Sequence, residues 1–280
     1  VGGNAVRLGA LFGAPVVIGA LWQAGAVNVL GRRPSWAVLA LALAPALLYW
    51  QLATAIDDQI ALHGDRTVSG AYYAPLRAEL ARLAAGRPIR VEVPMTGGHW
   101  ESAYLPSARP GPQISLARGW ERQLDTRYAA LFYGSGLGAG AYRAWLQRNA
   151  VSYVALPDAR LDDAGRAEAA LVRAGLPYLR ELWRSAHWRL FEVLSAAPLA
   201  QAPARLEALE AQGFTLAVPR AGHFRVALRF TPYWAVLSGS ACVGEAAGGY
   251  TYLSTTRPGR VRVGVRFSLA RIFDHGARCT

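Results

Sequence analysis

"SWAVLALALAPALLYWQLATAI", residues 35–56, is the stretch on which the fold class turns, because it holds no charged side chain. Upstream, "LGALFGAPVVIGALWQAGAVNVLG", residues 8–31, is uncharged as well. A helix needs about 20 apolar residues, at ~1.5 Å of rise each, to cross a bilayer's hydrocarbon. Both stretches therefore read as transmembrane helices, 8–31 and 35–56. Trp36, Tyr49 and Trp50 fall where interfacial aromatics belong, and Pro15 and Pro45 are tolerated in such helices. The competing reading is a helical hairpin buried in a protein core. Arg32 and Arg33 in the short "GRRPS" link favour the cytoplasmic side, while Arg7 flanks the first span and weakens that vote. Everything after about residue 57 is then expected outside the membrane.

The chain begins at Val1 in a hydrophobic context and is expected to be the C-terminal piece of a longer protein. Hydrophobic residues make up 53%, and the net charge is +12 with every basic residue an arginine. Those arginines are scattered and form no basic tract or stripe, so nucleic acid is not an expected partner. Cys242 and Cys279 offer one disulfide in an oxidising compartment, or two free thiols.

Beyond the uncharged runs the pattern alternates. "AYYAPLRAELARLAAG" (71–86) has Leu76, Leu80 and Leu83 at helical spacing and closes on Gly86. "PIRVEVPM" (88–95) alternates like a strand, 140–150 reads as a helix, and "VSYVALP" (151–157) reads as a buried strand. "DDAGRAEAALVRAG" (162–175) starts on an Asp cap and ends at Gly, and 177–194 reads as two strands with a tight turn near Ser185. This predicts an α/β domain over 57–200 with a partly parallel sheet. Residues 214–270 carry short β-rich runs about ten residues apart, predicting an antiparallel β-sandwich over 201–280. Its clearest alternation is Val261, Val263, Val265 and Phe267, with Arg260, Arg262 and Arg266 facing the other way. The expected fold class is thus mixed: two transmembrane helices within 1–56, an extracytoplasmic α/β domain, and a C-terminal sandwich.

Common site signatures are missing: there is no P-loop, no GxSxG and no His/Cys metal spacing. "GSGLGAG" (134–140) precedes a helix but reads as a flexible turn. Three clusters carry candidate chemistry. Asn4 and Arg7 would lie at the outer interface, where a guanidinium pairs bidentately with phosphate or, alternatively, anchors to headgroups. Glu92, His99, Trp100 and Glu101 lie on a strand end and the loop beyond it, suited to a polar, ring-shaped ligand such as a sugar, or serving only turn and solubility. In "SLARGWERQLD" (115–125), Arg118, Glu121, Arg122 and Asp125 are spaced as one helix stripe, with Trp120, Leu124, Tyr128 and Leu131 on the apolar stripe. Arg118 with Glu121 and Arg122 with Asp125 are expected as exposed pairs, each contributing only about 0.2–0.5 kcal/mol. Asp57 and Asp58 follow the second span as a solvated pair, or as a place to hold a metal or hydroxyl.

"YYAPLRAEL", "ARGWERQLD", "YRAWLQRNAVSYVALPD" and "FTPYWAVLSGSACVGEAAGGYTYLSTTRPGRVRVGVRFS" together resemble the ends of large bacterial polytopic proteins. These belong to the GT-C-like glycosyltransferase group, including members labelled 6-pyruvoyl-tetrahydropterin-synthase-related. The resemblance implies transfer of a sugar from a polyprenyl-phosphate-linked donor to a glycan or envelope acceptor at the outer face of the cell membrane. Its catalytic acid would lie in a first outer loop, outside these residues, so no catalytic residue is assigned. Arg7 would neutralise the lipid phosphate, and Glu92, His99, Glu101, Arg118, Glu121 and Asp125 would hydrogen-bond sugar or acceptor. No metal ligand or cofactor is assigned, with a divalent metal left open for the full-length protein. The alternative is a non-enzymatic envelope protein whose exterior domains bind a glycan or a protein partner.

Overall fold

The computed structural model describes residues 9, 12–17, 19–20, 36–119, 121–267 and 279. The chain divides into two compact units, Val1–Asp65 and Arg66–Thr280.

In the first unit, helix α1 runs from Trp36 to Leu62. Among the described residues no helix is long and apolar enough to cross a membrane, and this corrects the expectation of two spans. Rather than ending at an interface near residue 56, α1 continues unbroken through Asp57, Asp58 and Gln59. An uncharged run measures composition, whereas the helix's extent is set by where hydrogen bonding stops, here a polar turn later. Asp57 and Asp58 are exposed on that turn. Most of the expected first span, the Arg32–Arg33 link, Asn4 and Arg7 lie outside the described residues, although 12–17 are helical.

Among its described residues the second unit holds three sheets. Helix α2 (Gly70–Leu83) starts at Ser69, whose side chain accepts from the Ala71 N–H at 3.3 Å, and buries Tyr72, Tyr73, Leu76 and Leu80. Strand β1 (Ile89–Glu92) follows, then the one-turn helix α3 (Glu101–Tyr104), β2 (Ile114–Leu116), α4 (Arg122–Tyr128) and α5 (Ala139–Arg148). The layer is completed by β3 (Tyr153–Pro157), α6 (Asp163–Ala174) and the hairpin β4 (Leu179–Arg184) and β5 (Trp188–Val193). Strand order is β2-β1-β3-β5-β4, with β1 parallel to β2 and β3 and the rest antiparallel.

Alternation along the strands assigns two cores. Ile89, Val91, Tyr153, Ala155, Trp188 and Leu190 pack with α2 on one face. Val154, Leu156, Phe191 and Val193 pack with α5 and α6 on the other. Arg90 and Glu92 are also buried, although alternation along "PIRVEVPM" puts them on the face opposite Ile89 and Val91. A charge carried on such a face must find a partner.

The sandwich follows. Strands β8 (Gly222–Arg229), β10 (Ala241–Ala246) and β11 (Tyr250–Thr255) form a sheet of order β10-β11-β8. Strands β6 (Arg205–Glu210), β7 (Gly213–Val218), β9 (Trp234–Ser238) and β12 (Gly259–Val265) form one of order β6-β7-β12-β9. Phe214, Leu216, Phe224, Val226, Leu253 and Val263 fill the space between them. Outside that core, Ala227 and Tyr250 pack on Ala150, just after α5, so the three-stranded sheet lies against the α/β layer.

Helix α6 is placed by two local features. Asp162 caps it, its Oδ1 accepting from the Ala164 N–H at 2.9 Å. Gly165 lies against the chain after β1, where a Cβ would sit 2.8 Å from both Met95 N and Met95 O. That approach brings Glu168, one turn further, to the end of β1. Gly165→Ala is expected to cost about 1–3 kcal/mol through overpacking against backbone that cannot yield. A urea midpoint equal to wild type would show that the helix shifts freely.

Candidate functional site

Parallel strand β1 has β2 on one side and β3 on the other, so the chain leaves their carboxyl ends in diverging directions. Ligand crevices form at such a point in open α/β sheets. The segments 93–100, 117–119 and 158–162 all emerge there, and they include or adjoin the second and third candidate clusters.

Arg118 lies in the segment after β2, not on a helix, because α4 begins only at Arg122. Its Nε donates to Glu92 Oε1 at 2.7 Å and its Nη2 to Glu168 Oε2 at 2.5 Å. Its Nη1 is 3.9 Å from Asp125 Oδ2, and the guanidinium lies 3.8 Å over the Phe132 ring. Tyr142 donates to Glu168 at 2.6 Å and Tyr133 to Asp125 at 2.7 Å. The four ionisable side chains are at most 3% exposed. This corrects the expected solvated stripe: Arg118 does not pair with Glu121, and Arg122 reaches Asp162 at 3.4 Å rather than Asp125. Burial pushes the carboxyls of Glu92, Glu168 and Asp125 upward, Glu92 furthest. Burial alone would lower Arg118, but its three carboxylates hold it above the ordinary arginine value. One guanidinium cannot balance three buried carboxylates. Glu92, the furthest raised, takes up a proton most readily, and its hydrogen bond to Glu168 then offsets part of the burial of that carboxyl.

The loop between β1 and α3 is built for its own shape. His99 takes a left-handed φ of 56°, and its Nε2 lies 3.5 Å from Asp162 Oδ2. Glu101 is buried and accepts from the Thr96 N–H at 3.2 Å and the Thr96 hydroxyl at 2.5 Å. Burial raises its pKa. Trp100 tilts on Tyr104 with centroids 6.2 Å apart. Glu101 thus secures the loop, and neither it nor Trp100 lines the large cavities.

Those cavities lie where the sandwich meets the α/β layer. One, of about 430 Å³, is lined by Arg118, Glu121, Asp125, Tyr128, Trp145 and Arg229 among others. A second, of about 710 Å³, shares Tyr128, Trp145 and Arg229 and adds Arg127, Arg148 and Arg225. Arginine and tyrosine alternate through it. Arg225 lies 4.0 Å over the Tyr250 ring, Arg229 lies 4.3 Å over Tyr250 and 4.1 Å over Tyr128, and Arg127 lies 5.1 Å over Tyr128. Asn149, at the end of α5, accepts from Tyr250 at 2.7 Å and from Arg229 at 3.1 Å. Behind it Arg90 donates to the Asn149 carbonyl at 2.8 Å and to the Ala227 carbonyl. Its pKa is held down to about 10, chiefly by burial.

Among the described residues, none of Arg90, Arg127, Arg148, Arg225 and Arg229 forms an ion pair, and Glu245 is the acid in the second cavity's lining. By contrast, Arg260 pairs with Glu207 at 2.8 Å and Arg262 with Glu210 at 2.7 Å on the other sheet. The first two cavities adjoin through Tyr128, Trp145 and Arg229; at the Asp125 end Glu121 and Asp125 are offset by Arg118 and Arg229, and the Arg225 end is strongly positive. Sequence reasoning placed Arg118, Glu121 and Asp125 near a site but missed the arginine–tyrosine half. A signal existed in "HFRVALRF", where Arg225 and Arg229 share one strand and both reach Tyr250.

Asn4 and Arg7 lie outside the described residues. Among the described residues, no group of three His, Cys, Asp or Glu side chains is placed to hold a metal ion. Cys242 and Cys279 are bonded, with Cα atoms 5.1 Å apart. Comparison with family models, with characterised proteins and with solved structures finds no match for this chain.

Proposed function

We propose that the Arg66–Thr280 unit recognises a phosphorylated saccharide, and that it does so outside the cytoplasm as the ligand-holding part of a sugar-transfer protein. The observation that carries this reading is the arginine set around Tyr128 and Tyr250, which has no carboxylate partners among the described residues. Several unneutralised guanidiniums in one concavity repel one another, and a phosphate relieves that repulsion while accepting bidentate hydrogen bonds. The aromatic walls suit the ring of a sugar, and the Glu121 and Asp125 carboxyls at the other end suit hydroxyl donors. The Cys242–Cys279 disulfide supports an oxidising compartment. Transfer from a polyprenyl-phosphate donor is the reaction class the resemblance implies, and the described residues support recognition without assigning a catalytic acid.

Calorimetric titration of the full chain with glucose 1-phosphate and with glucose tests this. Binding is expected for the phosphate ester alone, weakening as salt rises. Arg225→Gln and Arg148→Gln are each expected to reduce affinity about tenfold to a hundredfold, the scale of a lost charged hydrogen bond. Arg260→Gln, with its guanidinium already paired, is expected to change nothing. A short-chain alkyl phosphoglucose separates the two sources: tighter binding assigns a lipid-linked ligand, and equal binding a free one. Equal binding of glucose and its phosphate, or a preference for single-stranded oligonucleotide, would overturn the proposal.

A further inference from the structure

We infer that the smaller cavity is the saccharide subsite of this groove, with Asp125 as the residue that fixes which way round the ligand lies. This rests on the phosphosaccharide reading above and adds its orientation. The two cavities share Tyr128, Trp145 and Arg229, so a ligand occupying both must pass these three side chains. Their chemistry differs at the ends. Arg127, Arg148 and Arg225 attract an anion at one end, whereas at the other Asp125 and Glu121 offset Arg118, so the excess positive charge lies at the first. Hydroxyl groups, which donate to carboxylates, suit the Asp125 end.

Asp125 is also held ready for that task. Its Oδ2 accepts from Tyr133 at 2.7 Å and faces Arg118 at 3.9 Å, so the carboxylate is fixed in the cavity wall before any ligand arrives. At the junction, Trp145 lines both cavities, 2% exposed, and its buried indole N–H has no acceptor among the described residues. Arg229, shared by both, then bridges phosphate and ring. The ligand class is a sugar phosphate with its ring against Tyr128 and Trp145, its hydroxyls toward Asp125 and Glu121, and its phosphate toward Arg225 and Arg148.

Comparing inorganic phosphate with glucose 1-phosphate on the full chain separates the two levels of the argument. Wild type is expected to bind the sugar ester at least about tenfold more tightly than phosphate, the scale of one or two added hydrogen bonds. Asp125→Asn is expected to remove that advantage while leaving phosphate affinity unchanged. Because Asp125 touches Arg118 and Tyr133, an independent variant guards against misfolding. Leu124→Trp, at a position 48% exposed on the rim of the same cavity, is expected to fill it and abolish the same increment. Phosphate binding with no added affinity for the ester would overturn the orientation, as would an increment surviving both substitutions. Failure of phosphate itself to bind would overturn the anion reading beneath it.

Discussion

Arg118→Met is expected to lower the stability of the chain by about 3–5 kcal/mol at neutral pH, because breaking a buried ion pair strands its partners. Methionine fills comparable space over Phe132 but gives Glu92 and Glu168 nothing to pair with. The penalty has a defined pH dependence. Burial raises the pKa of both glutamates, so the folded state holds their protons more tightly than the unfolded state. The stability they contribute is fully present below the ordinary carboxylate range and is lost as pH rises through the raised values. Arg118 opposes that loss, and its removal raises the glutamates further. The deficit of the variant should therefore be smallest near pH 4 and widen toward pH 8. Urea unfolding at the two ends measures this, and adding Glu168→Gln to Arg118→Met should recover part of the loss. A deficit under about 1 kcal/mol at pH 8 would mean that water reaches the cluster, the value of an exposed pair.

Loss of the Cys242–Cys279 bond is the second large effect. The bond closes a loop across 37 residues, and the chain-entropy relation gives about 3–4 kcal/mol for a loop of that size. Cys242 lies on β10, an edge of the three-stranded sheet, and the Cys279 N–H donates to the Val243 carbonyl at 3.3 Å. The bond thus also lays chain against backbone groups that an edge strand leaves open. Cys242→Ser, or reduction of the wild type, should lower the unfolding free energy by the amount stated, read as a lower denaturation midpoint. Equal midpoints with and without reductant would show that the pairing contributes nothing to the sandwich.

What was legible in the sequence was what neighbours along the chain decide. Val261 and Val263 alternate with arginines and are buried in the strand, whereas Val265 at its end and Phe267 beyond it are exposed, so the expected alternation stops at Val263. The Asp162 cap and Gly175 bound α6 for the same local reason. "PIRVEVPM" announced a strand, but alternation says which residues share a face and not what covers it. Arg90 and Glu92 therefore gave no sign of being buried. The spacing in "SLARGWERQLD" suggested pairs three residues apart, while the partners of Arg118 lie 26 and 50 residues away. Residues 35–56 were misread because absence of charge was taken for a boundary, although the helix runs on to Leu62. The positive half of the groove draws on α4, α5, β8 and β11, four segments unremarkable on their own, and tertiary packing alone assembles it.

Arg90 has a mechanical meaning as well as an electrostatic one. It starts on β1, inside the α/β sheet, and holds the backbone of Asn149 after α5 and of Ala227 on β8. Asn149 and β8 also carry the two walls of the groove, so a single guanidinium ties both walls to the central sheet. Such a groove works as a fixed clamp rather than as jaws. Its opening is set when the chain folds, little ordering is left to be done on binding, and capture of the ligand should run in one kinetic phase with no closing step.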